Sequence, residues 1–210
     1  VYTYTKTFSM SAIPYDTCLL ELEGAYRDCS VFLNNNFVTS NHLGSLGFFA
    51  DLTPYLQADV NYLEVKVSND TQQNCRWYSG SGLYRPAWLW TGGPVHIPPE
   101  HLRLSTPEVD QEVSQVKVEL SIVNRLRQQT TVQALVILRN SQENVVCTRT
   151  LPVTLFPGEN PSLTWNLYLR NGKLWSPDTP NLYTCTVELR QGETLLDSIQ
   201  ETFGLRHIQF

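Results

Sequence analysis

Apolar and polar residues alternate one for one through Leu63-Glu64-Val65-Lys66-Val67 and through Val116-Lys117-Val118-Glu119-Leu120-Ser121-Ile122. A two-residue period sends successive side chains to opposite faces of an extended chain, so each stretch reads as a strand with one core face and one wet face. Tyr183-Thr184-Cys185-Thr186-Val187-Glu188-Leu189 repeats the pattern and runs into Arg190-Gln191-Gly192-Glu193, a hairpin-like turn. Residues 132–138 are apolar almost throughout and read as a strand covered on both faces. Composition agrees with the periodicity. Val and Thr number 18 and 20, against 6 Ala, 4 Lys and 1 Met. Branching at Cβ restricts χ1 in a helix and suits a pleated sheet. No segment sustains a 3.6-residue period, and the chain is expected to be all-β.

The 210 residues are long enough for two small domains. Pro and Gly cluster at Thr91-Gly92-Gly93-Pro94 and again at Ile97-Pro98-Pro99-Glu100, a composition that interrupts sheets. After Arg103 strands restart at roughly 8–12-residue spacing, the rhythm of a sandwich. The expected domains are therefore 1–103 and 104–210. The formal net charge is −5, and no cluster of Lys and Arg offers a footprint for nucleic acid. No apolar run approaches the ~20 residues that span a bilayer. Val1-Tyr2-Thr3-Tyr4-Thr5-Lys6-Thr7-Phe8 already alternates like a strand and has no signal-peptide pattern, so the chain reads as the middle of a longer protein. Periplasm and cytoplasm of a bacterium are equally compatible with the sequence.

Five widely spaced cysteines (Cys18, Cys29, Cys75, Cys147 and Cys185) contain no C-x-x-C, which argues against a zinc ribbon or redox motif. Cys185 alternates with Val187 and reads as a buried free thiol; a Cys18–Cys29 bridge is a weaker alternative. None of His42, His96, His101 and His207 stands at ligand spacing from a second ligand, so no metal and no cofactor is expected. Gly80-Ser81-Gly82-Leu83-Tyr84-Arg85 lacks the third glycine and the helix of a phosphate-binding loop, and Ser81 lacks the spacing of a nucleophile elbow. The densest chemical feature runs from Cys75 to Trp90, with two arginines and five aromatics around a Ser/Gly turn. Aromatic faces stack on the C–H faces of sugars, while Arg and amide groups bind hydroxyls directionally. The competing reading places Trp77, Trp88 and Trp90 in core or interdomain packing, with Arg85 as a buried clamp.

Arg76-Trp77-Tyr78-Ser79-Gly80-Ser81-Gly82-Leu83-Tyr84-Arg85-Pro86-Ala87-Trp88-Leu89 resembles the R-W-Y-x-G-x-G-I/L-Y-R-x-x-W-L pattern of glycoside hydrolase family 2, the β-galactosidase and β-glucuronidase group. Tyr4-Thr5-Lys6-Thr7-Phe8 resembles that family's Y-R-K-T-F strand, and residues 20–34 its L-x-F-E-G segment. Residues 49–56 and 61–67 resemble F-x-x-D-L-T-P-Y-L and N-x-L-x-V-x-V. Residues 174–183 and 203–208 are similar to W-S-P-x-x-P-x-L-Y and F-G-x-R-x-I. The resemblance covers nearly the whole chain. It implies a jelly-roll sugar-binding domain, truncated at its N-terminus, followed by an immunoglobulin-like sandwich.

The resemblance also implies where chemistry resides. The family's two catalytic glutamates belong to a (β/α)8 barrel that follows the F-G-x-R motif, and this chain stops at Phe210. Retaining glycoside hydrolysis needs two carboxyls about 5–5.5 Å apart. The acid/base glutamate of the family follows an asparagine, and no Glu here is preceded by Asn. The chain is thus expected to carry no catalytic residue, with the parent a retaining glycosidase. Its expected partners are the barrel of the same parent chain and carbohydrate, with the parent open to homo-oligomerisation. Asn74 and Arg76 are the expected contributors to the rim of the barrel's pocket. Trp77, Gly80, Gly82, Tyr84, Arg85 and Trp88 are the expected structural residues of the pattern. Asn34-Asn35-Asn36 replaces the family's Asn-Gly, and Asn tolerates positive φ, so a hairpin is still expected. Asn74 and Cys75 stand near the position where some β-galactosidases carry a sodium-contacting Asp; neither is acidic. Two other classes fit a pair of sandwiches, an independent carbohydrate-binding module and a two-domain adhesin.

Overall fold

Every stretch with a two-residue period is a strand in the computed structural model, which describes residues 1–9, 17–70 and 80–207. The chain splits into two compact units, Val1–Gly93 and Pro94–Phe210. The first unit contains β1 (Tyr2–Ser9), β2 (Thr17–Leu22), β3 (Ala25–Tyr26), β4 (Asp28–Leu33), β5 (Asn36–Asn41), β6 (Phe48–Asp51), β7 (Val60–Ser68), β8 (Gly82–Leu83) and β9 (Ala87–Gly92). The second contains β10 (Val95–His96), β11 (Arg103–Ser105), β12 (Val113–Ser121), β13 (Val123–Asn124), β14 (Thr130–Arg139), β15 (Val145–Leu155), β16 (Ser162–Arg170), β17 (Tyr183–Gln191) and β18 (Thr194–Phe203). One 3-10 turn, Thr53–Tyr55, is the sole helical element among the described residues. The fold is all-β.

In the first unit a sheet ordered β1-β7-β4-β5 faces one ordered β6-β2-β9. Cys29, Val31 and Leu33 from β4 and Val65 and Val67 from β7 meet Cys18, Leu20 and Leu22 from β2 in one buried cluster. Alternation supplies this core, because only one phase of each strand points inward. The β4–β5 hairpin turns on Asn34 and Asn35, with φ of 51° and 65°, and Leu33 pairs with Asn36. Two successive positive φ values are the geometry of a type I′ turn, whose twist matches the flanking strands. Asn34 is also locked from its side chain. Its amide donates to the Tyr55 carbonyl at 2.8 Å and to Asn61 Oδ1 at 2.9 Å, and its Oδ1 accepts from Tyr62 N at 2.9 Å.

In the second unit the sheets β11-β12-β16 and β15-β14-β17-β18 enclose a larger core. Val116, Val118 and Leu120 face Val132, Ala134, Val136 and Leu138, with Cys185, Val187 and Leu189 beside them. The strand at 132–138 departs from the expectation of cover on both faces. Gln133 is exposed and Leu135 and Ile137 are half-buried, because one sheet packs against one partner and the outer face relies on neighbouring strands for shelter. The exposed edge strand β15 carries Pro152, which cannot donate to a further strand, and Arg149 opposite Val136 on the inward phase. Both features oppose edge-to-edge pairing. At the opposite edge Asp197 of β18 reaches the segment after β10, where its Oδ2 accepts from Ile97 N at 2.7 Å. No helix among the described residues is long and apolar enough to cross a membrane.

Candidate functional site

The glycine–aromatic stretch is described from Gly80 onward; Asn74, Arg76 and Trp77 lie outside the described residues. From Gly82 the chain makes a short ladder with β3, pairing Ala25 with Leu83 and Tyr26 with Gly82. Gly82 is buried with φ of 97°, a conformation that L side chains rarely adopt. The Tyr4 hydroxyl of β1 occupies the space where a Cβ on Gly82 would stand, and it accepts from Leu83 N at 3.2 Å. Tyr84 follows, its amide donating to the Gly24 carbonyl at 3.2 Å and its hydroxyl to the Gly44 carbonyl at 2.7 Å. A Cβ on Gly24 would stand 2.7 Å from the Tyr84 ring, so a side chain there would collide with it. Arg85 lies over Tyr84 with its guanidinium 5.5 Å from the ring centroid. Gly80 is exposed and meets nothing within 4 Å of a built Cβ. The stretch therefore ties together β1, β3 and the loop at 43–46, and leads into the edge strand β9.

On β9 the alternative of tryptophan packing into a core does not hold. Trp88 and Trp90 are 52% and 42% exposed, and Arg85 is exposed rather than a buried clamp. Register sets Trp88 and Trp90 on the face opposite Glu21 and Leu19, away from the buried Leu20 and Leu22, and β9 is exposed on both of its phases, Leu89 being as open as Trp90. There the Trp88 indole N–H donates to Glu23 Oε1 at 2.6 Å and that of Trp90 to Glu21 Oε2 at 2.7 Å. Sequence reasoning missed these glutamates. The signal was present as Glu21-Leu22-Glu23, a carboxylate pair on one strand phase, but its partner strand lies more than sixty residues away.

Cys18 and Cys29 are both free and wholly buried, so no bridge joins them, and Cys185 is buried and free as expected. Burial pushes the thiols of Cys18 and Cys29 up to about 11, with the Asp51 charge adding to the effect on Cys18. Burial, with the Glu201 charge adding, pushes Cys185 up to about 12. None is a nucleophile at neutral pH. Asp197 is also shifted upward by burial, against the opposing pull of the amides of Ile97 and Ser198 and of His96. Among the described residues no group of three His, Cys, Asp or Glu side chains is placed to hold a metal ion.

In the second unit two separated motifs come together. Trp175 N donates to the Leu205 carbonyl at 2.9 Å, and the Arg206 guanidinium lies 4.8 Å from the centre of the Trp175 ring. Thr106 Oγ1 donates to the Arg206 carbonyl at 2.5 Å. The W-S-P segment thus serves as a ledge on which residues 204–206 rest.

Two consecutive β-sandwich units, with a glycine–tyrosine lock in the first and a Trp–Arg ledge in the second, make this an all-β protein of the two-sandwich class. The sequence profile of Glycosyl hydrolases family 2 matches residues 95–206, just over half of the chain, and the chain belongs to that family. It is 31% identical over 205 residues to the Beta-galactosidase BoGH2A of Bacteroides ovatus, covering 97% of this chain and 24% of that protein. It is 28% identical to a Putative beta-glucuronidase of Formosa agariphila, covering 98% of this chain and 19% of the relative. Among solved structures, a glycosyl hydrolase family 2 member from Bacteroides cellulosilyticus superposes with a TM-score of 0.94 at 27% identity, over 99% of this chain and 29% of the other. The chain spans about a quarter of the length of the curated relatives it matches. It corresponds to β-sandwich domains of a family 2 protein and not to the catalytic barrel.

Proposed function

We propose that this chain supplies the non-catalytic jelly-roll and immunoglobulin-like domains of a β-galactosidase-like glycosidase, supporting a barrel that carries both catalytic carboxyls. The observation that carries this reading is the match over nearly all of this chain to under a third of a family 2 structure. In the parent, one barrel carboxyl protonates the leaving glycosidic oxygen and the other attacks the anomeric carbon, which requires the short separation of a retaining pair. This chain contributes position instead. The Tyr4–Leu83 and Tyr84–Gly44 hydrogen bonds fix the chain that follows the segment carrying Asn74 and Arg76, so a rigid framework adjoins the proposed rim residues. Asn74 would hydrogen-bond a sugar hydroxyl at the rim of the pocket, with Arg76 beside it. Carbohydrate and the barrel of the same parent chain are the partners, and the parent is open to homo-oligomerisation.

The test is an assay of this chain on chromogenic β-galactosides beside the full-length parent. Turnover by the parent with none by this chain above the buffer blank is expected. Turnover by this chain alone would remove catalysis from the barrel. In the parent, Asn74→Ala raises KM for the galactoside with a smaller change in kcat; an unchanged KM removes Asn74 from the rim.

A further inference from the structure

We infer that Asn171 is a site of spontaneous covalent modification, at which the side-chain amide is lost and an acidic residue, aspartate or isoaspartate, takes its place. The backbone nitrogen of Gly172 bonds to Cγ of Asn171, the Cγ–Nδ2 bond breaks, and ammonia leaves with the proton that Gly172 N gives up. Water then opens the cyclic succinimide at one of its two carbonyls. The step needs no oxidant, cofactor or enzyme, and it depends on neither the barrel nor the proposed role of Asn74.

The fold obliges the chain to keep this pair and leaves it reactive. Asn171 follows β16 at φ 50°, a conformation that Asn tolerates better than most side chains. A Cβ on residue 172 would stand 2.5 Å from Cδ1 of the wholly buried Leu205, so packing holds glycine there. The result is the one asparagine–glycine step in the sequence. With no Cβ beside it, the Gly172 nitrogen approaches Cγ unhindered. The amides on either side are anchored, Asn171 N donating to the Glu112 carbonyl at 2.8 Å and Lys173 N to the Tyr183 hydroxyl at 2.7 Å. The Gly172 amide between them has no hydrogen-bond partner among the described residues, and neither has the exposed side chain of Asn171. Asn34, Asn61, Asn124 and Asn140 differ on both counts, each holding its side chain in hydrogen bonds and preceding a bulkier residue.

The surroundings favour the reaction and separate its two products. Asn171 and Gly172 border a cleft of about 180 Å³ whose lining includes Arg170 and Lys173 and no carboxylate. Those cations favour the negative oxygen that forms on Cγ during attack. Aspartate, once formed, lies beside the same cations and makes the formal net charge one unit more negative than −5. Isoaspartate instead carries an extra methylene in the main chain, between two anchored amides. The bonds to Glu112 and Tyr183 cannot then both keep their geometry, so the isoaspartate form loosens the second unit.

The test is peptide mapping of this chain and of the full-length parent after incubation at pH 6 and pH 8. The readout is the mass gain of amide-to-acid exchange, with isoaspartyl methyltransferase labelling to tell the two products apart. Asn171 is expected to lose its amide ahead of every other asparagine, several-fold faster per pH unit because the attacking nitrogen must give up its proton. The folded rate is expected to be no less than about a hundredth of the rate in guanidinium-unfolded chain. Asn171→Gly accepts the same φ and should yield no product at this position. An Asn171 amide that outlasts other asparagines in either protein overturns the inference, as does a folded rate below that bound. Ion exchange isolates the isoaspartate form, whose denaturant midpoint is expected below that of the Asn171→Asp variant. Equal midpoints overturn the loosening. Neither readout involves glycoside turnover, so the outcome is independent of the galactosidase assay.

Discussion

The hydroxyl of Tyr4 occupies the space in which a side chain on Gly82 would begin, and the same oxygen accepts from Leu83 N. One phenol thereby demands a glycine and anchors the backbone beyond it. Gly82→Ala adds a clash to the strain of a positive φ and is expected to destabilise the first unit by about 1–3 kcal/mol. Tyr4→Phe removes the clashing oxygen, so the Tyr4→Phe/Gly82→Ala double variant should lose less than the sum of the two single losses. A double-mutant cycle by urea denaturation checks this; strict additivity would show that the two residues do not meet.

Neighbouring asparagines in the β4–β5 turn should respond in opposite directions. Asn35 is exposed at φ 65° and its side chain makes no hydrogen bond among the described residues, so Asn35→Gly relieves strain and stabilises by roughly 0.5–1 kcal/mol. Asn34→Gly has the same backbone benefit but loses bonds to Tyr55, Asn61 and Tyr62, and is expected to destabilise by about 1–3 kcal/mol. Thermal melts of the two variants, side by side, decide it.

Alkaline pH should unfold the protein through its thiols. The folded chain holds the protons of Cys18 and Cys29 to about 11 and of Cys185 to about 12, against an ordinary value of 9.0. Between those values the folded state binds more protons than the unfolded one, so stability is complete below pH 9 and falls as pH rises through 11. Each thiol contributes a slope of about 1.4 kcal/mol per pH unit in that window. Denaturant midpoints measured from pH 8 to pH 11 should fall, and Cys185→Ala should flatten part of the decline despite lowering stability at pH 8.

Removing Asp197 strands a buried amide. Ile97 is 5% exposed and its N–H donates to Asp197 Oδ2, so Asp197→Ala is expected to cost the second unit about 1–3 kcal/mol. The wild-type carboxyl is shifted upward, so the folded state favours its protonated form; as pH rises from 3.8 through the folded value, this group's contribution to stability diminishes. The Asp197→Ala variant should lack that component in an acid titration of stability.

Trp165 offers a milder case. It is 7% exposed in the core and its indole nitrogen has no hydrogen-bond partner among the described residues. Trp165→Phe gives up ring volume but also removes a desolvated donor, and its cost should stay within about 1.5 kcal/mol, against about 3–5 for Trp165→Ala. Chemical denaturation of both variants separates a packing role from a hydrogen-bonding one.

What was readable in advance follows from how local each signal is. Leu63-Glu64-Val65-Lys66-Val67 declares a strand and its inward phase by itself, since two residues complete the repeat. Asn34-Asn35 declares a turn because both residues tolerate positive φ. The stretch at 132–138, apolar except for Gln133, reads as covered on both faces and is not, for the opposite reason: so nearly unbroken a run carries little phase, and only the neighbouring strands set how open its outer side is. The exposure of Trp88 and Trp90 was equally hidden, because apolar character predicts burial while the register against β2 sends both rings outward.

From its residues alone this chain reads as all-β, its clearest strands by their two-residue period, and the order of its motifs marks its family. The sequence also held every partner in the Tyr4–Gly82, Trp88–Glu23 and Trp175–Arg206 relationships, without stating which would meet. Tertiary structure decided those meetings. Alternation is written within a few bonds of the backbone, whereas contact between residues dozens of positions apart depends on strand order and register, which emerge only when the sheets have closed on their cores.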